Sequence, residues 1–137
     1  MLGPTGKRLD YITWHQYHMY MAINSEERCT FAENPVGCLI VDQENYIVAN
    51  SFSQGNYHEK HAVFIALQNK RTKSAENCIL YTSKFLECDE CVENLIQEKI
   101  AKICYLSEPV ENNWLERLKT AGIECEKYVK SRKIIRI

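Results

Sequence analysis

Between Leu9 and about Arg28, Trp14, Tyr17 and Met21 recur at helical spacing, and Ile12, Ala22 and Ile23 widen the apolar stripe. That period predicts a first helix. Two β-rich runs follow, Val36 to Val41 and Tyr46 to Ala49, joined by the polar stretch Asp42-Gln43-Glu44-Asn45, which suits a hairpin. A short helix is expected over about His61 to Lys70. Beyond the polar connector Arg71 to Glu76, the apolar run Cys78 to Thr82 reads as a strand, and Asp89 to Glu98 as a helix with Val92, Leu95 and Ile96 on one face. The alternation then repeats. Ala101 to Leu106 is a buried strand, Asn113 to Ala121 a helix carrying Trp114, Leu115 and Leu118, Gly122 its stop, and Ile123 to Tyr128 a last strand. The order α-β-β-α-β-α-β-α-β predicts an α/β domain whose strand-helix-strand units pair in parallel, with helices on the sheet faces.

Composition narrows the class. At 137 residues, 45% apolar and 26% charged, the chain has the size and make-up of one globular domain. It has no repeat and no Gly/Ser/Pro linker, so a single domain is expected over 1–137, with 1–8 as an extension and 129–137 as a basic tail. A net charge of −1 gives the whole chain no basic excess, so nucleic acid is not indicated and an anionic membrane is not expected as partner. No stretch approaches the roughly 18 apolar residues of a span. The start, Met1 to Asp10, lacks an apolar signal core, and a cytoplasmic location is expected. Seven cysteines, an odd number, then read as reduced thiols, some of them binding metal.

Two charge runs stand out. Glu87, Asp89, Glu90, Glu93 and Glu98 fall together without a base, and Lys127, Lys130, Arg132, Lys133 and Arg136 without an acid. The ordinary readings are a solvated helix face and a solubilising tail. A tail that meets phosphate, or the acidic face of a neighbouring subunit, is the other reading.

Cys88-Asp89-Glu90-Cys91 sets two thiols at the first turn of a predicted helix, where both sulfurs face one point and the helix N-terminus favours thiolate. A redox pair has this spacing too, but the two intervening carboxylates raise thiol pKa values and disfavour a reactive thiolate. A four-cysteine structural knuckle would need a second Cys-x-x-Cys, which the chain lacks. His61 opens the preceding predicted helix. One His and two Cys leave a fourth tetrahedral position for water, the design of a catalytic zinc site. Without metal the three would be an ordinary polar cluster.

Several segments resemble, in order and spacing, the deoxycytidylate deaminase branch of the cytidine deaminase-like superfamily. Trp14 through Ala22 and on to Arg28-Cys29-Thr30 is similar to that family's first helix and the turn after it, and Val36-Gly37-Cys38-Leu39-Ile40-Val41 to its V-G-A-x-I-V strand. Cys91 through Ile100 into Ile103 to Ser107, and Leu115 to Glu124, match its later elements. The resemblance runs from about Leu9 to Tyr128. It implies a three-layer α-β-α fold with a five-stranded mixed sheet, Zn2+ on His61, Cys88 and Cys91, a pyrimidine nucleotide ligand, and dimers or larger oligomers. The aromatic and Met residues of the first helix (Tyr11, Trp14, Tyr17, Met19, Tyr20, Met21) exceed what one buried stripe needs, which agrees with an oligomer.

The departures lie where the family does its chemistry. Its signature H-x-E…P-C-x-x-C carries a Glu that shuttles protons; here Val63 holds that position, and Glu87 precedes Cys88 in place of Pro. Ile65 stands where H-A-E-x-N has Asn, and Ser53 where G-Y-N-G has the Asn that contacts substrate. A zinc-binding protein with impaired catalysis is therefore expected, acting as a regulatory or scaffold subunit, alone or with an active paralogue, or as a nucleotide-binding protein. Glu59 or Glu87 serving as a surrogate base would instead give an active deaminase. A nucleic-acid-binding module using the basic tail is the third reading.

Overall fold

The computed structural model describes residues 13–29, 35–54, 61–85, 88–107 and 113–129. Helix α1 (Trp14–Glu27) begins at a reciprocal cap. The Thr13 hydroxyl accepts from the Gln16 backbone N–H at 3.1 Å, and the Gln16 side chain accepts from the Thr13 N–H at 3.0 Å. Strands β1 (Gly37–Val41) and β2 (Ile47–Phe52) form the expected hairpin. Its turn is fixed by Asp42, whose carboxylate accepts from the Glu44 and Tyr46 N–H groups at 2.9 Å each, while Asn45 takes a left-handed φ of 68°. Helix α2 (Ala62–Gln68), strand β3 (Ile79–Lys84), helix α3 (Asp89–Gln97), strand β4 (Lys102–Ser107), helix α4 (Asn113–Thr120) and strand β5 (Glu124–Lys127) complete the predicted order.

The five strands form one mixed sheet in the order β2-β1-β3-β4-β5. β1 runs antiparallel to β2 and β3, whereas β3, β4 and β5 are parallel, as crossovers through α3 and α4 require. Side chains alternate across the strands and split the core in two. Cys38 and Ile40 of β1 and Ile103 and Tyr105 of β4 point into the larger cluster, with α2, α3 and α4. Leu39, Val41 and Cys104 point the other way, against Met19 and Ala22 of α1. The result is the three-layer α-β-α architecture. No helix among the described residues is long and apolar enough to cross a membrane.

The buried face of α1 corrects the stripe read from periodicity. His18, Met19, Ala22 and Ser25 face the sheet, while Trp14 and Tyr17 are exposed and Met21 is half-buried. Two polar residues on the inner face hid it. Ser25 donates its hydroxyl to Asn50 of β2 through a short hydrogen bond, and His18 lies among the rings of Trp14, Tyr17 and Tyr81. β2 and β3 likewise run past their predicted ends, through Ser51 and Ser83. Both are buried, and Ser83 accepts the Gly37 N–H at 3.0 Å. Residues 9–12 of the predicted helix lie outside the described residues.

Candidate metal site

Three residues distant in sequence converge at the starts of two helices. His61 is the cap residue of α2 and Cys88 the cap residue of α3, both in extended backbone, and Cys91 lies one turn inside α3. The extended cap conformation turns each chain into its helix at the same end of the sheet. One ligand atom each from His61, Cys88 and Cys91 lies within 4.8 Å of the others. Cys91 Sγ and His61 Nδ1 are 3.5 Å apart. With Zn–S near 2.3 Å and Zn–N near 2.05 Å, a tetrahedral edge between sulfur and nitrogen is about 3.6 Å. The donor set therefore fits a zinc ion in both chemistry and spacing.

Cys91 is 1% exposed, and burial, followed by the neighbouring Cys88, pushes its thiol up from the ordinary range. A metal taking Cys91 as thiolate must release that proton. The acidic run around the cysteines is a solvated face, with Asp89, Glu90 and Glu93 exposed, and most of its carboxylates are also paired. Asp89 accepts from Trp114 Nε1 at 2.8 Å and Arg117 Nη1 at 3.2 Å, and Arg117 Nη2 reaches Glu93 at 2.9 Å, so these carboxylates fasten α3 to α4. Glu98 pairs with Lys70 at 2.8 Å and ties α3 to the end of α2.

Val63 lies two residues after His61 in the first turn of α2, 3% exposed and in the same core cluster as Cys91. Ile65 follows one turn after His61, its N–H donating to the His61 carbonyl at 3.0 Å. The end of β2 lies beside this turn, because Ser51 donates its hydroxyl to the Ala62 carbonyl at 2.6 Å. Ser53, just beyond β2, has its hydroxyl engaged with the Val36 N–H at 3.0 Å, its own N–H on the Val36 carbonyl at 2.9 Å, and its carbonyl on the Cys29 thiol at 2.9 Å. It acts in the fold as a clasp between the strand ends. Cys29 in this role was not legible in the sequence, since a thiol after a helix carries no spacing signal. Glu59 and Glu87 lie outside the described residues, as does the tail beyond Val129.

Residues 12–107 match the family described as the cytidine and deoxycytidylate deaminase zinc-binding region. An uncharacterized protein of Caenorhabditis elegans is 36% identical over 127 residues, which is 85% of this chain and 95% of that protein. The deoxycytidylate deaminase of Homo sapiens is 27% identical over 124 residues, covering 74% of this chain and 69% of the relative. Among solved structures, the dCMP deaminase of cyanophage S-TIM5 in complex with dCMP and dUMP superposes with a TM-score of 0.72 at 19% identity, covering 86% of this chain and all (100%) of that one.

Proposed function

The chain belongs to the cytidine and deoxycytidylate deaminase zinc-binding family, and from that premise we propose that it holds zinc with His61, Cys88 and Cys91 yet does not deaminate nucleotides, serving instead as a regulatory or scaffolding subunit. One observation carries this reading. The position that would move protons between water, the pyrimidine ring and the departing amine is Val63, a buried aliphatic side chain in the core beside Cys91.

Zinc, when bound, supplies Lewis acidity toward water. The chain must then provide a group that takes and returns protons, and general acid–base help of that kind contributes about 10²- to 10⁴-fold. A valine has no proton to take or give. Ile65 adds a second aliphatic group one turn along the same helix, and the Ser53 hydroxyl already holds the Val36 N–H. Among the described residues, Val63, Ile65 and Ser53 thus supply neither the proton carrier nor the amide contacts that would orient a pyrimidine. His61, Cys88 and Cys91 would still hold a zinc ion between the start of α2 and the start of α3, and such a bound metal would contribute to folding without catalysis.

A subunit role is supported by the outer face of α1, where Trp14 is 60% exposed, Tyr17 40% and Tyr20 36%. Aromatic residues of this kind are enriched at protein interfaces. The test is ammonia release from dCMP and from cytidine by the full chain loaded with one zinc per chain. The reading expects no turnover above the buffer with zinc alone. Steady zinc-dependent turnover would overturn it and make Glu59 and Glu87 the carboxylates to replace next.

A further inference from the structure

On the face of the sheet opposite His61, three neighbouring strands present one transverse row of side chains. Tyr81 of β3 is paired in register with Cys104 of β4, and Cys104 with Glu126 of β5. Above this row sits His15, in the first turn of α1. Its Nδ1 is 2.9 Å from the Tyr81 hydroxyl, and its ring packs against those of Tyr81 and Tyr128, each with centroids 5.3 Å away. One donor atom each from His15, Cys104 and Glu126 lies within 4.8 Å of the other two.

We propose that His15, Cys104 and Glu126 form a second metal site, for a thiophilic divalent ion such as Zn2+, that clasps α1 to the β4–β5 edge of the sheet. The donor chemistry selects the ion. A thiol and an imidazole favour zinc and its transition-metal neighbours, whereas magnesium and calcium take oxygen ligands. Metal-ligating histidines characteristically have their second ring nitrogen held by a hydrogen bond, and with Nε2 as the ligand atom the Tyr81 hydroxyl on Nδ1 would be that partner. Three protein ligands leave a fourth position for water, and a cleft of about 360 Å3 lined by Thr13, Gln16, Lys127 and Tyr128 along with His15 and Glu126 gives water access.

Cys104 is fully buried, while Glu126 is exposed and lines the cleft. Glu126 Oε2 is 2.8 Å from Lys102 Nζ and 3.7 Å from Cys104 Sγ. An incoming metal replaces the thiol proton of Cys104, which passes to solvent, and takes a carboxylate oxygen in competition with the Lys102 ammonium. That competition further disfavours hard, weakly bound cations.

The test uses Co2+ as probe, added in excess to the full chain stripped of metal, with stoichiometry and the sulfur-to-cobalt absorption both read. The wild type should bind two Co2+ per chain. Glu126→Gln, a change at an exposed side chain, should bind one, and Cys88→Ser with Cys91→Ser should keep one whose absorption is lost on adding Glu126→Gln. Tyr81→Phe should weaken the second ion by about 10- to 100-fold and leave the first unaltered. One ion per chain that is insensitive to Glu126→Gln, His15→Gln and Cys104→Ser overturns the proposal. One ion lost with Glu126→Gln but retained in the Cys88/Cys91 double variant would support it while contradicting zinc binding at His61.

Discussion

Replacing Gly37 with alanine should detach α1 from the sheet. Gly37 opens β1 beneath the helix, and a Cβ there would overlap the Ala22 carbonyl oxygen and the Glu26 backbone nitrogen and press on the Ser25 carbonyl carbon. All three are backbone atoms of α1, so no rotamer change relieves the clash. Restoring ordinary contact distances lifts the helix by about 1 Å or more. Overpacking of this kind costs roughly 1–3 kcal/mol. Lifting α1 also loosens Met19 and Ala22, both fully buried, from Leu39, Val41 and Tyr81, and each 50 Å2 of apolar surface returned to water adds about 1.3 kcal/mol. The expected loss is about 3 kcal/mol, a large share of a typical domain stability of roughly 5–15 kcal/mol. In urea melts followed by far-UV circular dichroism the midpoint should fall by roughly 1–3 M. Gly122→Ala is the informative contrast. Nothing lies within 4 Å of its Cβ, and its φ of 89° makes the cost one of backbone strain, about 1–2 kcal/mol. A Gly37→Ala midpoint equal to wild type would refute the close approach of α1 to β1.

Stripping zinc with a chelator should lower the melting temperature: an ion present at about 1,000 times its dissociation constant stabilises by about 4 kcal/mol, and calorimetry with and without metal reads the shift. Cys91→Ser should remove most of that difference. For Cys38, burial pushes the thiol up to about 12 from an ordinary value of 9.0, with the Thr82 side chain pulling weakly the other way. A folded-state value above the unfolded one means that its stability is held below pH 9 and lost as pH rises toward 12, about 1.4 kcal/mol by pH 10. Denaturation at pH 8 and pH 10 should show a loss that shrinks in Cys38→Ala, and an equal loss in both proteins would contradict the assignment. Trp14→Arg with Tyr17→Glu should lower unfolding free energy by only about 1–2 kcal/mol and leave the chain folded, because both side chains are exposed and what is lost is their ring contact with His18. The same pair should convert an oligomer to monomer in light scattering, and a wild type that is monomeric at high concentration would remove the interface.

Element order, sheet composition and the donor triad were legible in the sequence because each leaves a local signature. Val92, Leu95 and Ile96 mark the inner face of α3, and Cys88 and Cys91 declare themselves by spacing at its start. The inner face of α1 was not legible, since His18 and Ser25 are buried through partners on β2 and β3 that no local period can reveal. The extra length of β2 and β3 escaped for the same reason, as Ser51 and Ser83 satisfy a carbonyl and an N–H of neighbouring elements. The row of Tyr81, Cys104 and Glu126 depends on cross-strand register, and His15 joins it only once α1 docks. Such a cluster has no motif to read.

The measurement that tests the central claim most directly is a deamination series built on Val63. Zinc-loaded wild type, Val63→Glu, and Val63→Glu combined with Ile65→Asn and Ser53→Asn would be assayed side by side for conversion of dCMP to dUMP, with zinc content and fold checked for each. If α2 presents its second residue to the metal, the wild type shows no turnover and Val63→Glu gains a weak, zinc-dependent rate. The added amides raise that rate further, because orientation alone can be worth about 100-fold. Turnover already present in the wild type, and unchanged or lowered by Val63→Glu, would contradict the account.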